Sequence, residues 1–264
     1  MPAQIDPMSN LAERLLPHVL EATAHAQRLR AAPSGAVRLL SIAGNNLRDM
    51  GQLDTSRPVL DRALAIAQAQ LGPDHPDTLN ARANLAWWLG EAGQPAHAAE
   101  QFRDLLADRL RVLGPDHPGT LTARGNLACW LGAAGQPDQA GGQFRDLVAD
   151  CLRVLGPDHP YTLTARGNLA DWLGAAGQPD QAAAQYRNLP ADCLRVLGPD
   201  HPDILTARGN LARWLGAAGQ PGQAAAQYRD LLTDCLRVLG PDHPYALTTR
   251  ANLAYWQDRR DSDG

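Results

Sequence analysis

Histidines in five copies of one short motif are the residues whose type and spacing first suggest chemistry. The motif is Leu-Gly-Pro-Asp-His-Pro, and its histidines stand 42 residues apart, at His75, His117, His159, His201 and His243. Imidazole nitrogens bind zinc, but a structural zinc site needs about four ligands that converge on one point. One histidine in every 42 residues keeps these rings apart. We therefore predict that each histidine caps a turn and that the chain has no metal site.

Cysteines recur at the same interval. Cys151, Cys193 and Cys235 stand 42 residues apart, whereas Cys129 lies outside the series. Equivalent positions in stacked helices lie about 10 Å apart, and a disulfide requires Cα atoms within ~7 Å of each other. We predict that these three cysteines are buried helix residues and form no bridges.

Catalytic motifs are missing from the sequence. It has no Gly-rich phosphate loop, no His-Glu-x-x-His, no Cys-x-x-Cys and no Gly-x-Ser-x-Gly. It also has no lysine, which excludes Schiff-base chemistry by that residue. The nearest candidate for a catalytic cluster is Cys129 with Asp171 and Arg213. We expect no enzyme and no cofactor, and we keep an enzyme built on a repeat scaffold as a remote alternative.

Composition narrows the possible partners. Of 264 residues, 24 are basic and 28 acidic, which gives a formal net charge of −4. A nucleic-acid-binding protein usually carries a basic face, so we expect no nucleic-acid partner. No stretch reaches the roughly 18 apolar residues that span a bilayer, and the first residues lack a basic start followed by an apolar core. We expect no membrane partner and a cytoplasmic location, and the bias toward Arg, Ala and Gly suggests a bacterial source.

The 42-residue period extends far beyond the histidine motif. Thr-Ala-Arg-Gly-Asn-Leu-Ala recurs at residues 122–128, 164–170 and 206–212. Self-similarity at a fixed period of 20–50 residues is the signature of repeat architectures. The sequence therefore predicts one structural unit for every 42 residues.

Each period is predicted to form two helices, which we call helix A and helix B. In the first full copy, Leu85, Ala86 and Leu89 mark the buried side of helix A. Gly93 ends that helix and Pro95 opens helix B. The apolar stripe of helix B consists of Ala98, Phe102, Leu105, Leu106, Leu110 and Leu113.

Small and large residues of this unit resemble the consensus of tetratricopeptide repeats. Ala86, Gly93, Ala98 and Phe102 stand at the family's spacing, with small residues at the helix crossings and an aromatic residue in the gap. The period and the Leu-Gly-x-Asp-His-Pro loop are similar to the kinesin-light-chain subtype, which also forms the C-terminal repeats of bacterial STAND-type signalling ATPases. The resemblance implies an all-α fold, a right-handed superhelical solenoid of antiparallel helix pairs.

The 42-residue period, which is weaker near the N-terminus, divides the chain into four parts. Residues 1–34 are expected to form an N-terminal helix that caps the stack, and residues 35–76 a degenerate repeat. Residues 77–240 hold four repeats of the 42-residue kind. Residues 241–264 are expected to form a C-terminal capping helix, ending at residue 258, and a frayed tail. End caps are needed because a terminal repeat cannot bury its own outer face.

The resemblance implies that the A helices line a concave groove that holds a partner. The sixth position of helix A is occupied by Asn84, Asn126, Asn168, Asn210 and Asn252, whose amides both donate and accept hydrogen bonds. The second position is threonine at Thr122, Thr164 and Thr206, which disfavours the lysine-dependent carboxylate clamp of the family. The ninth position varies in chemistry, as Trp87, Cys129, Asp171, Arg213 and Tyr255, and this variety is typical of a surface that recognises side chains.

Structural roles remain open for the same residues. The asparagines can bond to one another along the stack instead of to a partner. The variable ninth position can reflect drift at a solvated site. Asp171 can also pair with Arg213 across neighbouring helices.

Two further series are predicted to be structural. Tryptophans are expected to form the core between repeats, at Trp88, Trp130, Trp172, Trp214 and Trp256. Arginines are expected to pair with helix-B acids such as Asp104 or Asp108, at Arg82, Arg124, Arg166, Arg208 and Arg250.

Pro190 is predicted to kink its helix B, because it removes a backbone hydrogen bond. Gly141 and Gly142 are predicted to soften the preceding helix B.

These patterns favour a non-catalytic scaffold or adaptor that binds a protein or peptide through the A helices. The alternative is a ligand-sensing regulatory module or a peptide receptor of a bacterial signalling system. We expect a monomer or a weak homodimer.

Overall fold

The structure is a computed structural model that describes residues 16–21, 23–24, 32–198 and 201–262. Within those residues the regular structure is helical, and no strand occurs. The helices from residue 33 onward are α1 (Pro33–Asp49), α2 (Leu53–Gln70), α3 (Pro76–Glu91), α4 (Pro95–Leu113), α5 (Pro118–Ala133), α6 (Pro137–Val154), α7 (Pro160–Ala175), α8 (Pro179–Tyr186), α9 (Leu189–Leu197), α10 (Pro202–Ala217), α11 (Pro221–Val238) and α12 (Pro244–Ser262). Residues 16–21 and 23–24 are helical as well.

The chain forms two compact units, Met1–Trp130 and Leu131–Gly264, and the division falls within α5. Within each unit, consecutive helices joined by short turns pack against each other, as α1 does with α2 and α11 with α12. Short connections of this kind produce antiparallel neighbours. The A helices are α1, α3, α5, α7, α10 and α12, and the helices between them are the B helices. None of the described helices is both long and apolar enough to cross a membrane.

The turn histidines cap the A helices, as the sequence predicts. In each motif the ring Nδ1 accepts a hydrogen bond from the backbone N–H two residues later, and the helix starts at the proline between them. These bonds measure 3.1 Å at His75, 3.0 Å at His117, 3.1 Å at His159, 3.2 Å at His201 and 3.1 Å at His243. The histidine therefore satisfies one of the unpaired N–H groups at the helix start, the role usually filled by Ser, Thr, Asp or Asn.

The other predicted helix signals are largely confirmed. Gly93 follows α3 with φ +82°, a conformation that favours glycine, and Pro95 opens α4. Ala98, Phe102 and Leu105 are buried in α4. The interpretation of Leu110 as an inward residue is wrong, since its exposed fraction is 42%. Eight residues of an α-helix leave a residue rotated by roughly 80° from the first, which takes Leu110 away from the face of Phe102.

Helix A of the first full copy also differs in part from its predicted burial. Ala86 is buried, but Leu85 and Leu89 are only half-buried.

In the first unit, Leu16, Val19 and Leu20 pack against the buried cluster that contains Leu40 and Ile66. These residues lie in the segment predicted to form the N-terminal cap.

The tryptophan series lies between repeats, as predicted. In the second unit, the Trp214 ring lies so close to Gly174 that a Cβ atom on this glycine would stand 2.1 Å from it. The same relation holds for Gly132 with Trp172 and for Gly216 with Trp256, and in the first unit for Gly90 with Trp130. Each glycine gives the indole of the next repeat room to pack closely, and Trp130 is buried while Trp172, Trp214 and Trp256 are half-buried.

Three members of the arginine series, Arg82, Arg166 and Arg208, pair with helix-B acids, and the acid in the first copy is Asp108 rather than Asp104. Arg82 Nη1 lies 2.6 Å from Asp108 Oδ2, and Arg111 links the same carboxylate to Asp74 of the turn. Hydrogen bonding from Arg82 is the main cause that lowers the pKa of Asp108 below its usual value. The second unit repeats this pairing in Arg166 with Asp192 at 2.8 Å, and in Arg208 with Asp234.

Pro190 divides its helix B into two helices, whereas the sequence predicted a kink. Helix α8 ends at Tyr186 and α9 begins at Leu189, whereas the equivalent helices α4, α6 and α11 are continuous. Gly141 and Gly142 leave α6 unbroken. The C-terminal helix α12 continues to Ser262, four residues beyond the predicted end at residue 258, so residues 259–262 are helical rather than frayed.

The cysteine series behaves as predicted. Cys151, Cys193 and Cys235 are buried on helix B, and the cysteines of the described residues, Cys129 included, are free thiols. Burial raises the pKa of Cys193 and of Cys235 above the usual thiol value.

A candidate partner-binding cleft

A cleft of about 230 Å³ lies in the second unit, between the A helices α7 and α10 and above the broken helix B. Five predicted groove residues line it: Thr164, Asn168, Asp171, Thr206 and Asn210. They share one face because residues i, i+4 and i+7 of an α-helix lie above one another. The structure thus brings together the second-, sixth- and ninth-position residues of α7 with their neighbours on α10.

The floor of the cleft is mainly apolar. Leu163 and Ala207 line it from the A helices, and Leu189, Cys193 and Leu197 line it from α9. At position 190 the chain has proline, where α4, α6 and α11 carry Leu106, Val148 and Leu232. Proline lacks the backbone N–H and clashes with the carbonyl four residues earlier, which separates α9 from α8 beneath the cleft.

Tyr186 places a hydroxyl group in the wall of the cleft. Its Oη donates to the carbonyl oxygen of Gly167 at 3.1 Å and accepts from Asn210 Nδ2 at 2.9 Å. Burial is the main cause that raises the pKa of Tyr186, and the nearby charge of Asp171 raises it further. The phenol therefore stays neutral at physiological pH and fixes the amide of Asn210 towards the cleft.

Asp171 is engaged within the protein. Its Oδ1 accepts hydrogen bonds from Arg213 Nη2 at 2.8 Å and from Trp214 Nε1 at 3.0 Å. The Arg213 guanidinium also lies 4.3 Å from the centre of the Trp214 ring. The pairing of Asp171 with Arg213 was one of the alternatives left open by the sequence, and it is the arrangement observed. A half-exposed ion pair of this kind contributes about 0–1 kcal/mol to stability.

The asparagines of the sixth position are in different states. In the first unit, Asn84 Oδ1 accepts from Asn45 Nδ2 at 3.2 Å, so bonding between helices does occur. Asn210 bonds to Tyr186, as described. Asn168 is half-buried in the cleft wall, and no side-chain hydrogen bond joins it to another described residue. Its amide is therefore available to a partner.

The remaining predicted groove residues lie outside this cleft. Trp87 packs edge-on against Phe102 and Trp130, with ring centres 6.4 Å and 5.1 Å apart, and so acts as a packing residue of the first unit. Tyr255 is exposed and lies edge-on to Trp256. The others lie on A helices, Thr122 exposed and the rest half-buried: Thr122, Asn126, Cys129 and Asn252.

Cys129 does not have the properties of a nucleophile. Burial raises the pKa of its thiol to about 11, and the thiolate is the reactive form. Asp171, which the sequence placed with Cys129 in a possible cluster, bonds to Arg213 and Trp214 instead.

Sequence reasoning missed several residues of the cleft, namely Tyr186, Leu189, Cys193 and Asp203. The available signal was Pro190, which was interpreted only as a kink. A break in helix B beneath two A helices changes the space between them, and the residues on either side of the break then become lining residues.

Comparisons with known proteins agree with this architecture. A kinesin-light-chain protein of nearly identical TPR-like repeats from Podosopora anserina is 26% identical, with a TM-score of 0.67, over 78% of this chain and 96% of its own. BtubC (BKLC) from P. vanneervenii is 19% identical, with a TM-score of 0.74, over 88% of this chain and 94% of its own. A Rap protein complexed with competence and sporulation factor is 13% identical, with a TM-score of 0.55, over 96% of this chain and 74% of its own. No curated protein sequence gives a significant match.

Family-level matches cover more than half of the chain and include most of the cleft. One tetratricopeptide repeat profile matches residues 36–111 and 133–188, and a second matches residues 204–245. The predicted all-α, TPR-like fold class is confirmed by these matches together with the helix pairs. The chain belongs to the tetratricopeptide repeat family.

Proposed function

We propose that this chain is a non-catalytic adaptor that holds a segment of a partner protein in the cleft between α7 and α10. Tetratricopeptide repeats commonly mediate protein–protein interaction, so the family supports a binding role in general. The observation that carries the specific proposal is the cleft itself, where five predicted groove residues surround an apolar floor.

The chemistry of the cleft suits a peptide segment. The free amide of Asn168 can donate to a backbone carbonyl and accept from a backbone N–H. The exposed threonines of α7 and α10 lie at the rim, and the hydroxyl of Thr164 already donates to the carbonyl of Pro160 at 3.1 Å, which leaves its oxygen as an acceptor. Below them, the leucines of the floor offer an apolar surface to one side chain. Largely apolar clefts with a few placed polar groups are the usual form of binding sites.

Non-catalytic function is supported by the state of the candidate reactive groups. The Cys129 thiol is protonated at neutral pH, because burial raises its pKa to about 11. The Asp171 carboxylate is held by two donors. Neither group is poised to attack a substrate or transfer a proton.

A peptide receptor is the second candidate, and the size of the cleft favours it. A volume of about 230 Å³ accommodates a single side chain rather than the apolar face of a helix. The similar Rap protein is complexed with competence and sporulation factor, which gives an example of ligand binding on a comparable fold. The two candidates differ in the ligand, since a receptor binds a short free peptide and an adaptor binds a segment of a larger protein.

Affinity capture from a lysate of the native host tests the proposal. The full chain is compared with a variant that combines Asn168→Ala and Asn210→Ala, and with the control Asn188→Ala, which removes an exposed amide outside the cleft. We expect a specific partner to be retained by the wild type and the control and lost by the double variant, with all three melting cooperatively. Equal capture by all three proteins would exclude the cleft as the binding site. Calorimetry with the captured partner and with short peptides cut from it then separates the adaptor from the receptor.

A further inference from the structure

The space between neighbouring A helices is filled from within in other repeats. Between α1 and α3, Arg38 Nε donates to Asp77 Oδ1 at 2.9 Å, and the side chain of Asp77 is only 5% exposed. The carboxylate at the start of an A helix is thus buried beneath a guanidinium group from the preceding A helix.

A second arginine fills the next space in the first unit. Arg109 rises from α4 between α3 and α5, and it is 4% exposed. Its guanidinium donates to Asn80 Oδ1 at 2.8 Å and to the carbonyl oxygen of Gly119. This guanidinium is buried, whereas the Arg38 side chain is 69% exposed and covers the space from its outer side.

In the second unit, a tyrosine fills the space between α10 and α12. Tyr245 Oη donates to the carbonyl oxygen of Leu205 at 3.0 Å. The phenol lies so close to Gly209 that a Cβ atom there would stand 2.4 Å from Oη. This position is closed by the chain's own side chain.

Other residues replace all three of these space-filling side chains in the cleft between α7 and α10. In the 42-residue register, Thr164 stands where Arg38 stands, Cys193 where Arg109 stands, and Asp203 where Tyr245 stands. Threonine and cysteine are too short to cross the space between the helices. The cleft is therefore the same space left open.

Asp203 stands at the same repeat position as Asp77 and also carries a carboxylate group. Its side chain is 64% exposed at the rim of the cleft, and His201 lies beside it, with Nδ1 at 3.7 Å from Oδ2. Among the described residues, no arginine reaches this carboxylate. The other acid of the cleft, Asp171, is already held by Arg213.

We propose that the cleft receives an arginine side chain of the bound partner, with its guanidinium group on Asp203 in the place that Arg38 takes on Asp77. The aliphatic stem lies on Leu163 and Leu189, and the planar guanidinium fork meets the carboxylate. This inference rests on the proposed function, since it names the partner side chain that the same cleft recognises.

Calorimetry of the full chain with N-acetyl-arginine methylamide tests the chemistry directly. The neutral isostere N-acetyl-citrulline methylamide is the control for charge, and N-acetyl-tyrosine methylamide is the control for the alternative suggested by Tyr245. We expect saturable binding of the arginine probe alone, and a loss of about tenfold or more in Asp203→Asn, because hydrogen bonds to charged groups are the strong ones. Binding of the citrulline or tyrosine probe at equal affinity would overturn the proposal.

Filling the cleft from within gives a second test. Thr164→Arg restores the Arg38 arrangement and should abolish binding of the arginine probe. The matched control is Thr122→Arg, the same change at the same repeat position outside the cleft, which should leave binding unchanged. Undiminished binding in Thr164→Arg contradicts the assignment of the site.

Capture experiments distinguish this inference from the proposed function. If the partner is lost with Asn168→Ala and Asn210→Ala but kept with Asp203→Asn and Thr164→Arg, the arginine assignment is wrong and the adaptor function stands. If the Asn168 and Asn210 variants also keep the partner, the cleft is not the binding site and both proposals fall.

Discussion

Trp214 packs directly over Gly174, and a methyl group added to this glycine would stand 2.1 Å from the indole ring. This contact joins α7 to α10, the two A helices that form the walls of the cleft. The spacing of the walls therefore depends on a residue without a side chain. Three equivalent pairs repeat the arrangement, so a glycine of one A helix packs against a tryptophan of the next at each of these positions.

Gly174→Ala should destabilise the second unit by about 1–3 kcal/mol, the usual effect of overpacking in a close-packed core. Urea unfolding followed by tryptophan fluorescence measures the free energy of unfolding. Gly142→Ala is the control, since no atom lies within 4 Å of a Cβ at that position in α6. That change should stabilise the protein by about 0.5–1 kcal/mol, because alanine is the better helix former. A neutral Gly174→Ala variant would show that Trp214 can move away freely.

Pro190→Leu should raise the melting temperature. Leucine occupies the equivalent position in two continuous B helices, as Leu106 and Leu232. Leucine restores the backbone N–H and removes the clash with the carbonyl of residue 186. A proline in the interior of a helix usually costs ~3 kcal/mol or more. Because α8 and α9 have already separated around Pro190, we expect a gain of only about 1–2 kcal/mol. Calorimetry measures the shift, and an unchanged or lower melting temperature contradicts the interpretation of the break.

Low pH should destabilise the folded protein, because it protonates the carboxylates that pair with arginine. Hydrogen bonds from Arg82 and Arg166 are the largest causes that lower the pKa values of Asp108 and Asp192. In the unfolded chain an aspartate titrates near pKa 3.9, so between the two values the unfolded state binds more protons. This stabilisation is complete above about pH 5 and is lost as the pH falls through the lower, folded-state pKa values.

Melting temperatures recorded between pH 7 and pH 2 test this expectation. The wild type should be nearly constant from pH 7 to pH 5 and should fall below about pH 4. Arg166→Met keeps the aliphatic stem but removes the donors to Asp192, and its curve should be flatter in the acid range. An identical acid slope in the wild type and in this variant would rule out Asp192 as a contributor.

His159→Ala should destabilise the second unit by about 1 kcal/mol, since the ring Nδ1 caps the first turn of α7 by accepting from Tyr161 N at 3.1 Å. His159→Asp is the control, because aspartate is also a good capping residue and should recover most of the loss. Thermal unfolding measures both variants. Equal losses in the two would mean that the imidazole acts by packing instead of capping.

Much of the fold follows from local signals in the sequence. The prolines and histidines that begin the A helices, the glycine that ends α3 and the buried stripe of Phe102 and Leu105 act within one or two helical turns. They could be interpreted from spacing alone, and the 42-residue period then fixes how often the unit recurs. Burial was predicted less well at Leu85 and Leu110, because the exposure of these residues depends on neighbouring helices.

The cleft shows the limit of such reasoning. The sequence placed Asn168, Asp171 and Asn210 on A-helix faces, and helical periodicity alone was enough for that. It left the pairing of Asp171 with Arg213 as one of several alternatives, and it did not reveal that Asn168 would stay free, because those outcomes depend on distances between helices. The open space itself arises from three short or outward-facing residues and one break, which act on a common volume only when α7, α9 and α10 pack together. Local chemistry determined the elements, and tertiary packing decided which of their side chains remain available.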